Sequence, residues 1–178
     1  ALPAIAENLQ EDPLRMHSVV VAYVLSVAAC IPLSGWLADR FGVRNTYFRA
    51  IIIFTLASIG CAVSNSLNEL LLYRVLQGIG GALLLPVGRL AMLKIIPRTQ
   101  FLAAMSLMSL AGLLGPLIGP TLGGWMVEYL SWQWVFLINL PIGLLGTLIT
   151  FKAMPNVTEP DVAKFDYAGF VMLVVAMV

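Results

Sequence analysis

Charge is scarce in this sequence. Lys, Arg, Asp and Glu together make up 11% of its 178 residues, against roughly 25% in a soluble domain, and that shortage excludes an ordinary water-soluble globule. Histidine occurs once and cysteine twice, too few for a metal-ligand set or a disulfide framework. Cys30 and Cys61 sit within apolar runs and read as small core residues. Ten basic against nine acidic residues leave a net charge of +1, so neither a basic face for nucleic acid nor an acidic tail is present. No carboxylate lies deep in a complete apolar run, and no nucleophile stands beside a base, so a membrane-embedded hydrolase lacks its parts and no catalytic residue or metal site is expected.

Hydrophobic residues, 60% of the chain, are gathered into runs. Residues 16–38, 50–68, 99–127 and 129–151 contain no Asp, Glu, Lys or Arg, and a bilayer crossing takes about 17 to 25 residues. Spans are expected at 16–38, 48–67, 70–92, 100–126 and 132–152, with another starting at Phe165. These runs far exceed the ~10 residues of a membrane β-strand, and short connections leave no room for a soluble domain. The predicted fold class is all-α, a polytopic transmembrane helical bundle. Residues 1–15 read as a polar outer lead-in, 16–152 as the five-span bundle, 153–165 as a cytoplasmic loop and 166–178 as the start of a further helix.

The basic residues are distributed unevenly. Arg40, Arg44, Arg49, Arg89, Lys94, Arg98, Lys152 and Lys164 fall on one side, Arg15 and Arg74 on the other. The positive-inside rule makes the first side cytoplasmic. Trp125, Tyr129, Trp132 and Trp134 then gather at the outer interface, where aromatic belts lie. This orientation puts Ala1 outside, so a preceding span is expected upstream; the stop at Val178, partway through an apolar run, points to missing chain at the other end as well.

Arg74 is the costly residue. Fourteen residues separate it from Arg89, about 21 Å of helix in a hydrocarbon layer near 30 Å. Arg89 lies near the cytoplasmic end and can snorkel as an anchor. Arg74 stands a turn deep on the poorly charged side, with Gln77, Gly78 and Gly81 on the same helical face, so it is expected to point into the bundle. An intramembrane charge is a functional-site candidate, although a structural arginine capping carbonyls fits the same position. The fourth run carries Gly112, Gly115, Gly119 and Gly123 with Pro116 and Pro120. Such a row makes either a packing seam or a kinked helix at a moving interface.

Between the first two spans, Asp39, Arg40, Gly42 and Arg44 crowd a short reversal. Gly42 supplies the turn, and Asp39 is expected to accept bonds from a neighbouring helix N-terminus or from Arg40 and Arg44 as an ionic latch. Asn156-Val157-Thr158 matches a glycosylation acceptor, but on the side assigned to the cytoplasm.

Four of these segments, in this order, resemble signatures of the major facilitator superfamily. Gly35 to Arg44 resembles its loop between the second and third helices, with Val43 where that loop usually has a base. Arg74 to Gly81 resembles its fourth-helix signature, and Gly115-Pro116-Leu117-Ile118-Gly119-Pro120-Thr121-Leu122-Gly123-Gly124 the fifth-helix signature of its antiporters. Trp132 to Gly143, followed by Phe165-Asp166-Tyr167-Ala168-Gly169, is similar to the fourteen-helix drug/proton branch. The resemblance makes these spans helices 2 to 6 and the start of 7, with the acidic residue of the first helix outside this chain. It implies a proton-coupled exporter of small amphipathic compounds in the bacterial inner membrane, needing no cofactor. Its partners would be the substrate, protons, the lipid bilayer and the remainder of the transporter. Asp39, Arg40, Gly42 and Arg44 would then form a conformational latch, Arg74, Gln77 and Gly78 would couple protons, and Gly115, Pro116, Gly119, Pro120, Gly123 and Gly124 would make the antiporter helix. An uptake symporter of the same fold, or a non-transporting membrane sensor or assembly protein, are the alternatives.

Overall fold

The computed structural model describes residues 2–160, 162 and 165–177. Ala1, Lys164 and Val178, used above for topology and for the two ends, lie outside the described residues. The elements in chain order are α1 (Leu2–Leu9), α2 (His17–Cys30), α3 (Leu33–Phe41), α4 (Val43–Val63), α5 (Leu67–Ile95), α6 (Arg98–Tyr129), α7 (Trp134–Leu137), α8 (Asn139–Ala153) and α9 (Tyr167–Met177). Among the described residues every regular element is helical. Helices α4, α5, α6 and the stretch Trp134–Ala153 are each long and apolar enough to cross a membrane, and α2 with α3 adds a fifth if the pair is one span.

Three boundaries differ from the sequence expectation, each for a local reason. The span expected over 16–38 is bent by 56° between α2 and α3. Pro32 lies at the bend, where it offers no amide proton and its ring crowds the carbonyl four residues back. The reversal expected between the spans 16–38 and 48–67 shrinks to Gly42, whose φ of 89° lets α3 end and α4 begin without further linker. Residues 2–9, read as polar lead-in, instead form α1, because Ile5 and Ala6 find apolar partners and are buried. The start of α5 follows its sequence closely: the Ser66 hydroxyl accepts from the Glu69 amide at 3.3 Å while the Glu69 carboxylate accepts from the Asn65 amide at 2.9 Å, which satisfies two orphan donors.

Helix α5 is the centre, packed against α4 on one side and α2 on the other, with α8 behind α4. Its glycines allow that approach. A Cβ on Gly80 would lie 2.7 Å from the Phe54 amide nitrogen, and one on Gly78 would lie 2.6 Å from the Ser26 Cβ. Two apolar cores result, one at each end. The first joins Ile5, Met16, Val19, Cys61, Leu70, Trp132 and Phe136, and the second joins Ala38, Val43, Ala50, Leu83, Val87 and Ala91. Between them runs a buried polar layer of Thr55, Ser58 and Gln77.

Helix α6 stands apart. It has no buried residue, and a Cβ on Gly112, Gly115, Gly119, Gly123 or Gly124 would meet nothing within 4 Å. Among the described residues the glycine row therefore forms no seam, and the helix runs unbroken through Pro116 and Pro120.

Candidate functional site

The polar layer is built on three helices. Arg74 on α5 is half-buried and turned inward, and its Nη1 donates to Gln77 Oε1 at 3.1 Å, one turn further along the same face. Gln77, only 2% exposed, uses its other end to donate from Nε2 to Ser58 Oγ on α4 at 2.7 Å. Asn139 Nδ2, at the start of α8, reaches the same oxygen at 3.4 Å. Ser58 in turn donates to the Phe54 carbonyl at 2.8 Å.

Rings hold the guanidinium on its remaining sides. Its central carbon lies 4.6 Å from the centroid of Phe136 and 5.7 Å from that of Tyr23, distances at which a cation is attracted to the aromatic face. Its Nε is buried without a hydrogen-bond partner among the described residues. Among the described residues no carboxylate forms an ion pair with Arg74. The inward direction and the Gln77 contact match the sequence expectation. Gly78 joins the site by letting α2 come close enough for Tyr23 to face the cation. Ser58 carries no local mark in the sequence, and Phe136 and Asn139, although within the Trp132–Gly143 segment that resembles the drug/proton branch, have no site role there, since all three lie on helices other than that of Arg74.

The second cluster, at the α3–α4 reversal, departs from expectation. Asp39 does not pair with Arg40 or Arg44. Its Oδ1 accepts from Lys94 Nζ at 2.8 Å, and Lys94 also reaches Glu159 Oε1 at 2.7 Å. Adjacent residues on a helix do not face one another, which takes Arg40 away from Asp39, and the turn at Gly42 carries Arg44 round with α4. The chain beyond α8 seals this corner. The Val43 amide donates to the Val157 carbonyl at 3.1 Å, and the Glu159 amide to the Asp39 carbonyl at 3.2 Å. The Asn156 side chain fills the place a Cβ on Gly42 would need, and its Oδ1 accepts from the Asn45 amide at 3.3 Å. Gly42 is thus demanded by its φ and by its neighbour at once.

The remaining sequence candidates, Gly115, Pro116, Gly119, Pro120, Gly123 and Gly124, belong to neither cluster. No group of three or more His, Cys, Asp or Glu that could hold a metal ion occurs among the described residues.

The model of the Major Facilitator Superfamily matches residues 1–171. The chain belongs to that superfamily. Relatives from Salmonella dublin and Salmonella typhi, both named "Putative multidrug resistance protein MdtD", are 56% identical over 177 residues, 99% of this chain and 37% of theirs. The chain thus spans little more than a third of the length of these relatives. Among solved structures, the peptide transporter POT in complex with sulfate superposes with a TM-score of 0.73 at 18% identity, over 95% of this chain and 36% of that one. That likeness shows the fold alone, a shared arrangement of helices.

Proposed function

We propose that the protein containing this chain is a secondary transporter of the bacterial inner membrane that exports small amphipathic compounds in exchange for protons. The observation carrying this reading is Arg74, a cation turned toward the bundle interior and held by Gln77 and two aromatic rings. A positive charge so placed stabilises the ionised form of a carboxylate brought near it, which is how it would tune a proton carrier supplied by another part of the transporter. Similarity to proteins named for multidrug resistance supports export of drug-like molecules. In this reading Asp39 and Lys94, with Arg40, Gly42 and Arg44 around them, latch one conformation at the cytoplasmic face. The uncovered face of α6, with Gly115, Pro116, Gly119, Pro120, Gly123 and Gly124, packs against the remainder of the transporter.

The test uses everted membrane vesicles containing the complete transporter, with ethidium as the probe. An acid-inside gradient should drive ethidium into the vesicles, and nigericin should abolish the uptake. Arg74→Ala should insert normally yet lose the gradient-driven component, while Arg74→Lys, which keeps the charge but not the planar fork, should retain part of it with a shifted pH profile. Ethidium leaving the vesicles along with protons would indicate a symporter. Gradient-driven uptake unchanged in Arg74→Ala would remove Arg74 from the coupling.

A further inference from the structure

We infer that Ser58 is a positioning residue that sets which end of the Gln77 amide faces Arg74. Three observations combine. Ser58 is fully buried, and a hydroxyl has one proton to give and two lone pairs to receive with. That proton is committed to the Phe54 carbonyl of its own helix, 2.8 Å away. Ser58 Oγ can therefore meet its other neighbours only as an acceptor, and both of them, Gln77 Nε2 at 2.7 Å and Asn139 Nδ2 at 3.4 Å, present donors. With its NH₂ end drawn to Ser58, Gln77 must turn its carbonyl toward Arg74, where Oε1 receives Nη1 at 3.1 Å. The reversed amide would set NH₂ against a guanidinium that has only donors, and would leave both unpaired inside the bundle.

The orientation of one amide thus passes from α4 to the cation on α5 through a hydroxyl nineteen residues away in sequence. Asn139 holds the same oxygen from α8 at a longer distance, so it supports the arrangement more weakly than Gln77 does. The consequence of this amide orientation for proton coupling rests on the function proposed above.

The experiment reads the arginine directly, without transport. The complete transporter in membranes is treated with phenylglyoxal, and the modification rates of Arg74 and of the exposed Arg89 are compared by peptide mass spectrometry. Ser58→Ala should raise the Arg74 rate relative to Arg89 about fivefold, the population change matching loss of one neutral hydrogen bond. Ser58→Thr, which restores the hydroxyl, should return the ratio to the wild-type value, whereas general loosening of the fold would raise both arginines together and would not be rescued in this way. Should Ser58→Ala fail to accumulate, Ser58→Cys, close in shape with a weakly accepting sulfur, reads the same loss. An unchanged Arg74 to Arg89 ratio in the Ala or Cys variant overturns the assignment. A raised ratio in the variant of a transporter whose wild type shows no gradient-driven export would keep the assignment and defeat the coupling reading instead.

Discussion

Replacing Gly78 by alanine sets a helix preference against a collision, and the contact distances decide which prevails. Alanine in place of a helical glycine stabilises by roughly 0.5–1 kcal/mol through chain entropy. Against that gain, the new Cβ would stand 2.6 Å from the Ser26 Cβ and 2.8 Å from the Tyr23 carbonyl oxygen, so α2 and α5 must part by up to 0.8 Å to reach the 3.4 Å of ordinary contact. The Tyr23 oxygen belongs to the backbone and cannot rotate away. Overpacking of this kind costs about 1–3 kcal/mol, which leaves a net loss of up to about 2.5 kcal/mol after the entropy gain. The separation also draws Tyr23 back from the guanidinium it faces at 5.7 Å. Thermal unfolding of the purified complete transporter in detergent should therefore show Gly78→Ala below wild type. Gly35→Ala, whose Cβ would meet nothing within 4 Å among the described residues, serves as the comparison and should show no such loss. Gly78→Ala melting at or above wild type would refute the close approach of α2 and α5.

Two further outcomes follow from the α3–α4 corner. Asp39→Asn should leave Lys94 with Glu159 alone, costing about 0.2–1 kcal/mol because the pair is partly exposed; distance measurements between spin labels on the two faces should show a changed balance of inward-open and outward-open forms, and unchanged distances would make Asp39 an ordinary turn residue. Lys94→Gln should cost more, since it leaves two carboxylates facing each other, and added salt should shrink the difference from wild type; a salt-independent effect would mean that packing, not charge, is at stake. A single cysteine at Thr158, in a cysteine-free background, should react with an impermeant thiol reagent only after cells are opened, while one at Asn65 should react in intact cells; the opposite pattern would invert the assigned orientation.

What could be read in advance, and what could not, divides by distance along the chain. Arg74 and Gln77 share a face because they are one turn apart, and the reversal at Gly42 follows from the one residue free of a Cβ, so both are visible in a linear pattern. Ser58 and Asn139 come to the same place from helices that the sequence cannot orient, and Ser58 is one of many serines in apolar surroundings. Asp39 shows the opposite error, for adjacency suggested Arg40 and Arg44, whereas the partner it meets, Lys94, sits at the far end of α5. Pro32 was inside an apolar run of sufficient length, and length alone does not reveal that the run is bent. The glycines of α6 were legible as a pattern, but among the described residues nothing packs closely against them.

The buried polar layer between the two apolar cores acts as an axial key. Sliding α5 along α4 by one turn, about 5.4 Å, would exchange Gln77 for Tyr73 or Gly81 opposite Ser58 and strand an amide and a hydroxyl, at about 1–3 kcal/mol for each unsatisfied group. Tilting both helices together breaks nothing. The layer therefore ties α5 to α4 and α8 at the depth of Gln77, so that a displacement of one of the three at that level is shared by the other two rather than taken up by slippage between them.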